Sequence, residues 1–271
     1  MATRSALINV MAKAAEKAAR GLKRDFGEVE NLQVSRKGPA DFVSAADLKA
    51  EKTIREELSR ARPGYGFLME ESGAVAPSDD SGRRWIVDPL DGTTNFLHGL
   101  PQFAISIALE ERGEVIAGLI YDPIKDDLFH AERGGGAFHN DRRLRVSSRN
   151  RLAESLIATG APYIGHGDRE RYLGEIDAVM EQTAGIRRWG SAALDLAYVA
   201  AGRFDAFWEW GLSAWDIAAG TILVREAGGY VSELNGKTIN LDSGSILASN
   251  NNIHSDLMKL LRKPLGNQKA R

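Results

Sequence analysis

The sequence predicts a mixed fold, with an α+β part over residues 1–145 and an α/β part over residues 146–271. Three patterns carry that expectation. Residues 103–110 and 115–121 are β-rich runs joined by a charged turn around Gly113, which is how a hairpin reads. Past residue 150, strand-like pieces (156–159, 204–208, 230–232 and 245–248) alternate with helical ones (169–182, 191–201, 215–227 and 252–261). No repeat, low-complexity run or Pro/Ser-rich linker separates the parts, so the boundary near residues 140–150 is expected to be intimate and the whole to form one unit.

Along the first part, Leu7, Val10, Met11, Ala14, Ala18 and Leu22 recur at helical spacing within the basic stretch 5–24. That stripe, together with the acids Glu16 and Asp25, reads as a packed helix and not as an organellar transit peptide. Asp47 is a favourable N-cap for a helix over 48–61, which Pro63-Gly64 stops. Two apolar runs, 65–69 and 85–87, lead directly into Glu70-Glu71 and Asp88, and loops at strand ends are where a sheet can hold chemistry in place. A strand near 127–131 precedes Gly134-Gly135-Gly136; with no helix after it, the triple glycine reads as a tight turn and not as a phosphate cradle. Residues 263–271 are expected to fray.

Composition narrows the class. With 43% apolar and 27% charged residues the chain is an ordinary globular one, and its formal charge of −2 offers no overall field for nucleic acid or anionic membrane. Zero cysteines exclude disulfides, thiolate nucleophiles and zinc–thiolate sites, so a metal would sit on Asp, Glu, His or backbone oxygens, and hard cations such as Mg²⁺ are expected. No stretch approaches the ~18 apolar residues of a membrane span, and the start has no secretory apolar core, so a cytoplasmic location is expected.

The chemistry concentrates in Trp85-Ile86-Val87-Asp88-Pro89-Leu90-Asp91-Gly92-Thr93-Thr94-Asn95-Phe96. An apolar strand ends in Asp88, Pro89 removes a donor, and a second carboxylate follows at Asp91. Gly92 permits close approach of a ligand, and Thr93 and Thr94 bring hydroxyls and amides at the start of a short helix. Carboxylates for cations beside amides for an anion suit a metal-bridged phosphate. Asp88 and Asp91 taken singly are also readable as a turn that caps the following helix, and Asp216 behind Trp215, taken alone, is more often a cap than a ligand. The combination of Glu70, Asp88, Asp91 and Asp216 favours the metal. His98, His130, His139, His166 and His254 lack a paired nucleophile or orienting group and read as loop or surface residues.

Four stretches together resemble the inositol monophosphatase family of metal-dependent sugar phosphatases: Asp41-Phe42-Val43-Ser44-Ala45-Ala46-Asp47; Glu70-Glu71-Ser72; residues 85–96; and Trp215-Asp216-Ile217-Ala218-Ala219-Gly220, continuing to Glu226-Ala227-Gly228-Gly229. The likeness runs from about Leu32 to Leu261 and is strongest to bacterial members. It implies a layered αβαβα sugar-phosphatase fold and a lithium-sensitive phosphomonoesterase. It further implies two or three Mg²⁺ ions on Glu70, Asp88, the Leu90 carbonyl, Asp91 and Asp216. Thr93, contacted by Asp47, and Glu70 are implied to orient and deprotonate the attacking water, and the Gly92 and Thr93 amides to hold phosphate. Glu209 is implied to contact sugar hydroxyls, with Ser191 and Ala192 lining the same pocket. Met69 stands where many relatives have glycine, and Lys37-Gly38-Pro39-Ala40 matches the loop that closes on the metals.

The expected substrate is a small phosphorylated polyol, myo-inositol monophosphate first, hydrolysed by a homodimer. Histidinol phosphate, fructose 1,6-bisphosphate or a phosphoadenosine are the alternatives within the fold. A different class of role is also implied: some bacterial relatives contact RNA polymerase in antitermination or ribosomal RNA maturation. The run Gly185-Ile186-Arg187-Arg188-Trp189 could serve a subunit contact, a partner surface or plain solvation.

Overall fold

The computed structural model describes residues 4–26, 34–38 and 41–262, with backbone alone for 34–38 and 41–44. The expectations for residues 263–271, the Lys37 side chain, Pro39 and Ala40 lie outside the described residues.

The first part comprises α1 (Ala6–Phe26), the hairpin β1 (Val34–Gly38) and β2 (Asp41–Ser44), α2 (Ala45–Ala61), β3 (Gly66–Met69), β4 (Gly73–Val75), β5 (Arg83–Asp91), α3 (Thr93–Leu97), β6 (Ala104–Glu111), β7 (Glu114–Asp122), β8 (Asp127–Glu132), β9 (Gly136–His139) and β10 (Arg142–Arg143). Its strands from β3 onward make an eight-stranded sheet, β10-β9-β8-β7-β6-β5-β3-β4. The sheet is antiparallel except where β3 runs parallel to β5.

The second part comprises β11 (Leu156–Thr159), α4 (Arg169–Gln182), β12 (Gly185–Arg187), α5 (Ala192–Ala200), β13 (Ala206–Trp210), α6 (Ala214–Glu226), β14 (Tyr230–Ser232), β15 (Ser245–Ser249) and α7 (His254–Leu261). Its five strands are ordered β12-β11-β13-β15-β14.

Period-two burial stacks these elements into five layers, helices–sheet–helices–sheet–helices. On β6, Ile105, Ile107 and Leu109 join α1 and α2 in one core, while Ala104 and Ala108 face α5 and α6 in another. That central core also takes Phe207 and Ile246 from the small sheet, whose other face packs Trp208 and Leu247 with α4 and α7. The layered αβαβα fold is therefore the one observed. The stripe on α1 is buried at Met11, Ala14, Ala18 and Leu22 and half-buried at Leu7 and Val10. No described helix is long and apolar enough to cross a membrane.

Two local expectations need correction, and a third gains a partner. The helix at Asp47 begins at Ala45, so Asp47 lies inside its first turn; it is fully buried because its carboxylate partners the Thr93 hydroxyl. His130 and His254 are buried, not surface residues: His130 of β8 stacks on Phe138 of β9, and His254 sits between the hydroxyls of Ser232 (3.0 Å) and Ser249 (2.7 Å). The triple glycine is a turn, as expected, but one with an anion on its amides. Gly134 and Gly136 N–H donate to the two oxygens of Glu226, both at 2.8 Å, so this chain's own carboxylate fills the cradle.

Candidate active site

Two parallel strands, β3 and β5, deliver Glu70 and Asp88 to the same end of the large sheet. Residues 88 and 91 are an odd number apart, so in a regular strand their side chains would point to opposite faces. The ladder to β6 instead pairs Asp88 with Ser106 and Asp91 with Ala104, three residues against two, which is a bulge of one extra residue. Pro89 cannot donate to that ladder, and the bulge falls there. It rotates Asp91 onto the side of Asp88, facing α5 and α6.

Asp216 arrives from the first turn of α6, and Asp88, Asp91 and Asp216 each offer a carboxylate oxygen within 4.8 Å of the others. The remaining oxygens are tied down. Asp88 Oδ1 accepts from Leu90 N–H at 2.9 Å, Asp216 Oδ2 from Ser213 N–H at 2.7 Å, and Asp91 Oδ2 from Ala193 N–H at 2.8 Å and from the Ser191 hydroxyl. The local turn at Asp88 and the cap at Asp216 readable from sequence are thus real, whereas Asp91 caps α5 and not the helix that follows it; these bonds orient each group. Asp91, seated on the N-terminus of α5, also gains from that helix dipole.

Burial raises all three carboxyls above their ordinary range, and each is raised further by its acidic neighbours, Glu70 among them. Three crowded, desolvated carboxylates repel one another unless protonated or paired with cations. Their donor set is all oxygen, which fits hard divalent ions and disfavours zinc or copper. Glu70 is half-buried and lines the same cleft.

Behind the triad, Gly92 adopts φ 93° and starts α3. A Cβ there would come 3.0 Å from Gln102 O and 3.3 Å from Gly190 O, so the close approach of the two halves at this point requires glycine. Thr93 Oγ1 lies 3.1 Å from Asp47 Oδ1 and 3.0 Å from the Leu90 carbonyl, and its single proton is shared between them. Asn95 crosses between the halves, donating to Gln102 O (2.7 Å) and Trp189 O (2.8 Å).

The cleft has a volume of about 570 Å³. Glu70, Asp91, Gly92, Thr93, Ser191, Ala192, Glu209 and Asp216 all line it. The expected residues are therefore gathered at one place, with Asp47 and Leu90 directly behind Thr93. Burial pushes Glu209 up to about 8, and Asp216 and Asp91 add to this. Met69 is buried in the core against α1 and α2, away from the cleft.

Sequence reasoning missed other residues that shape the cleft: Gly160, Arg171, Tyr172, and Glu175 behind them. None sits in a motif. Asp195, whose Oδ1 is buried without a hydrogen-bond partner, did carry a signal, since it is the one charge in the apolar helix Ala-Ala-Leu-Asp-Leu-Ala.

A sugar-phosphatase fold with carboxylates converging beside a glycine–threonine turn defines a class of metal-dependent phosphoesterase. The chain belongs to the inositol monophosphatase family, whose model matches residues 3–265. It is 63% identical to inositol-1-monophosphatase of Mesorhizobium japonicum, over 97% of this chain and 98% of that one. Nus factor SuhB of Pseudomonas aeruginosa is 42% identical over 96% and 97% of the two chains. The crystal structure of extragenic suppressor protein suhB from Bartonella henselae superposes with a TM-score of 0.93 at 58% identity, covering 96% of this chain and all of that one (100%).

Proposed function

We propose that this chain hydrolyses myo-inositol monophosphate to myo-inositol and phosphate, with two or three Mg²⁺ ions held by Glu70, Asp88, the Leu90 carbonyl, Asp91 and Asp216. The observation that carries the reading is the convergence of buried Asp88 and Asp91 with half-buried Asp216 beside the Thr93–Asp47 pair. Unaided phosphate-monoester hydrolysis needs acceleration of up to ~10²¹-fold, and most of it must come from charge neutralisation and in-line positioning. When bound, the ions supply Lewis acidity, acidifying water and offsetting the phosphate charge.

The chain's own residues do the rest. When Thr93 donates to Asp47, its oxygen lone pairs are left to accept a hydrogen bond from the attacking water, and Glu70 alongside accepts the proton. The Gly92 and Thr93 amides hold phosphate oxygens at the head of α3. Glu209 hydrogen-bonds the polyol hydroxyls, in the cleft that Ser191 and Ala192 also line. Family resemblance further supports a homodimer.

A phosphate-release panel tests the substrate: inositol monophosphates should outrank histidinol phosphate, fructose 1,6-bisphosphate and phosphoadenosines, and the reverse order would overturn the choice. Asp91→Asn keeps the volume but removes one charge from the ions; turnover should fall at least about 10²-fold while the circular dichroism is unchanged. The relatives named Nus factor SuhB support a second, non-catalytic role through contact with RNA polymerase. Retention of purified polymerase by this chain, lost on Arg187→Ala with Arg188→Ala, tests it; no retention ends it.

A further inference from the structure

We propose that Glu175, on α4, is the positioning residue for Glu209 and thereby sets the preference for polyol substrates; this rests on the reading of Glu209 as the polyol contact. Side chains at 208 and 210 of β13 share one face of the strand, and 209 points to the other. Glu175 is 5% exposed and accepts both indoles that flank Glu209: Trp208 Nε1 on Oε2 at 3.0 Å and Trp210 Nε1 on Oε1 at 2.9 Å. One carboxylate thus grips the strand on either side of the residue it presents.

The sheet leaves this grip a task. β13 is paired with β15 as far as Trp210↔Ser245, but its pairing with β11 stops at Thr159↔Trp208. Glu209 and Trp210 are therefore held by a ladder on one side only. The clamp supplies a second hold, and the Arg171 guanidinium lies over the Trp210 ring, 4.5 Å from its centroid. On the cleft side, Gly160 leaves a slot that the Glu209 carboxylate fills, since a Cβ at Gly160 would fall 1.8 Å from Glu209 Oε1. Stability alone does not call for such an arrangement. Apolar replacements for both donors and acceptor would be near neutral, whereas a buried carboxylate whose hydrogen bonds come from two neutral indoles costs desolvation. What the clamp adds is a fixed direction for Glu209.

The test compares myo-inositol 1-phosphate with p-nitrophenyl phosphate, which has no polyol hydroxyls, on the full chain with saturating Mg²⁺. Glu175→Gln keeps one acceptor and turns an amide NH₂ onto the other indole. KM for the inositol phosphate should rise about tenfold, with kcat changed less than about threefold and p-nitrophenyl phosphate kinetics unaltered. In a Trp210→Phe background the same substitution should cost little more, because the amide oxygen then serves Trp208 and its NH₂ meets no donor. The triple variant Glu175→Leu, Trp208→Phe, Trp210→Phe removes donors and acceptor together; it should fold and retain the raised KM. An unchanged KM in both Glu175→Gln and the triple variant, or equal losses on the two substrates, overturns the proposal. Glu209→Ala separates the underlying reading: if it leaves the inositol phosphate KM unaltered, the polyol role of Glu209 fails. If it raises KM while neither Glu175→Gln nor the triple variant does, only the clamp fails.

Discussion

At the scale of single residues, the site is a store of unfavourable charge. Asp88, Asp91 and Asp216 have folded-state pKa values above the 3.8 of a free aspartate, about 6 for Asp91 and about 8 for Asp216. An acid raised on folding binds more protons folded than unfolded, so its contribution to stability falls as pH rises. With a chelator present, urea unfolding should therefore show this contribution declining between about pH 4 and pH 8. Asp88→Asn should flatten the slope and leave the chelated protein at least as stable as the parent. Magnesium reverses the balance, because an ion that binds only the folded state at a hundred times its Kd adds ~2.7 kcal/mol, which is a rise in Tm of roughly 5 °C or more. A pH-independent slope in chelator, or no magnesium shift, would remove the triad as a metal centre. These acids were legible because each follows an apolar run or opens a helix, and because several of them do so in one sequence. Glu175 was not, because it is one of several charges on α4, and only the fold reveals which of them faces two indoles.

Elements matter here through how closely they approach. α6 carries Asp216 in its first turn and is wedged between the large sheet and α5 by two glycines. A Cβ at Gly118 of β7 would sit 2.6 Å from Ile222 Cγ2 and 2.7 Å from Ala219 O; one at Gly220 would sit 2.4 Å from Leu196 Cδ1. The Ser106 hydroxyl of β6 also donates to Trp215 O at 3.1 Å, anchoring the helix start beside Asp88's partner strand. Gly118→Ala must push α6 outward, because its nearest obstacles include backbone. The expected cost is about 1–3 kcal/mol of stability, with weaker magnesium binding in titration calorimetry as Asp216 moves away from the β5 pair. Normal affinity in a destabilised Gly118→Ala protein would show that α6 does not set the triad. The existence of α4, α6, β6 and β7 was readable from period and length. β4 and β12 were not, because each is three residues that begin with glycine and hold a single β-branched residue, and the bulge at Pro89 was visible only as a proline at the end of a strand.

For the whole molecule, the decisive feature is that the central core belongs to neither half alone, although each half also has an outer core of its own. The central layer packs Ile86, Ala108, Ile120 and Phe129 of the large sheet against Leu194, Ile217 and Leu223 of α5 and α6, and these in turn against Phe207 and Ile246 of the small sheet. Polar links cross at the same level: Asp91 is seated on Ser191 and Ala193, and Asn95 reaches Trp189. Removing residues 146–271 would uncover one apolar face of the eight-stranded sheet and leave Asp91 without the donors that orient it. The two parts are therefore expected to unfold together. In urea, the near-ultraviolet signal should report chiefly the second half, which holds Trp189, Trp208, Trp210 and Trp215; the far-ultraviolet signal reports both. The two should trace one coincident transition, which magnesium moves as a unit, and residues 1–145 expressed alone should aggregate. Two separated transitions, only one of them shifted by magnesium, would instead mean that the metal ligands on β5 and the ligand on α6 are brought together by docking of independently stable halves.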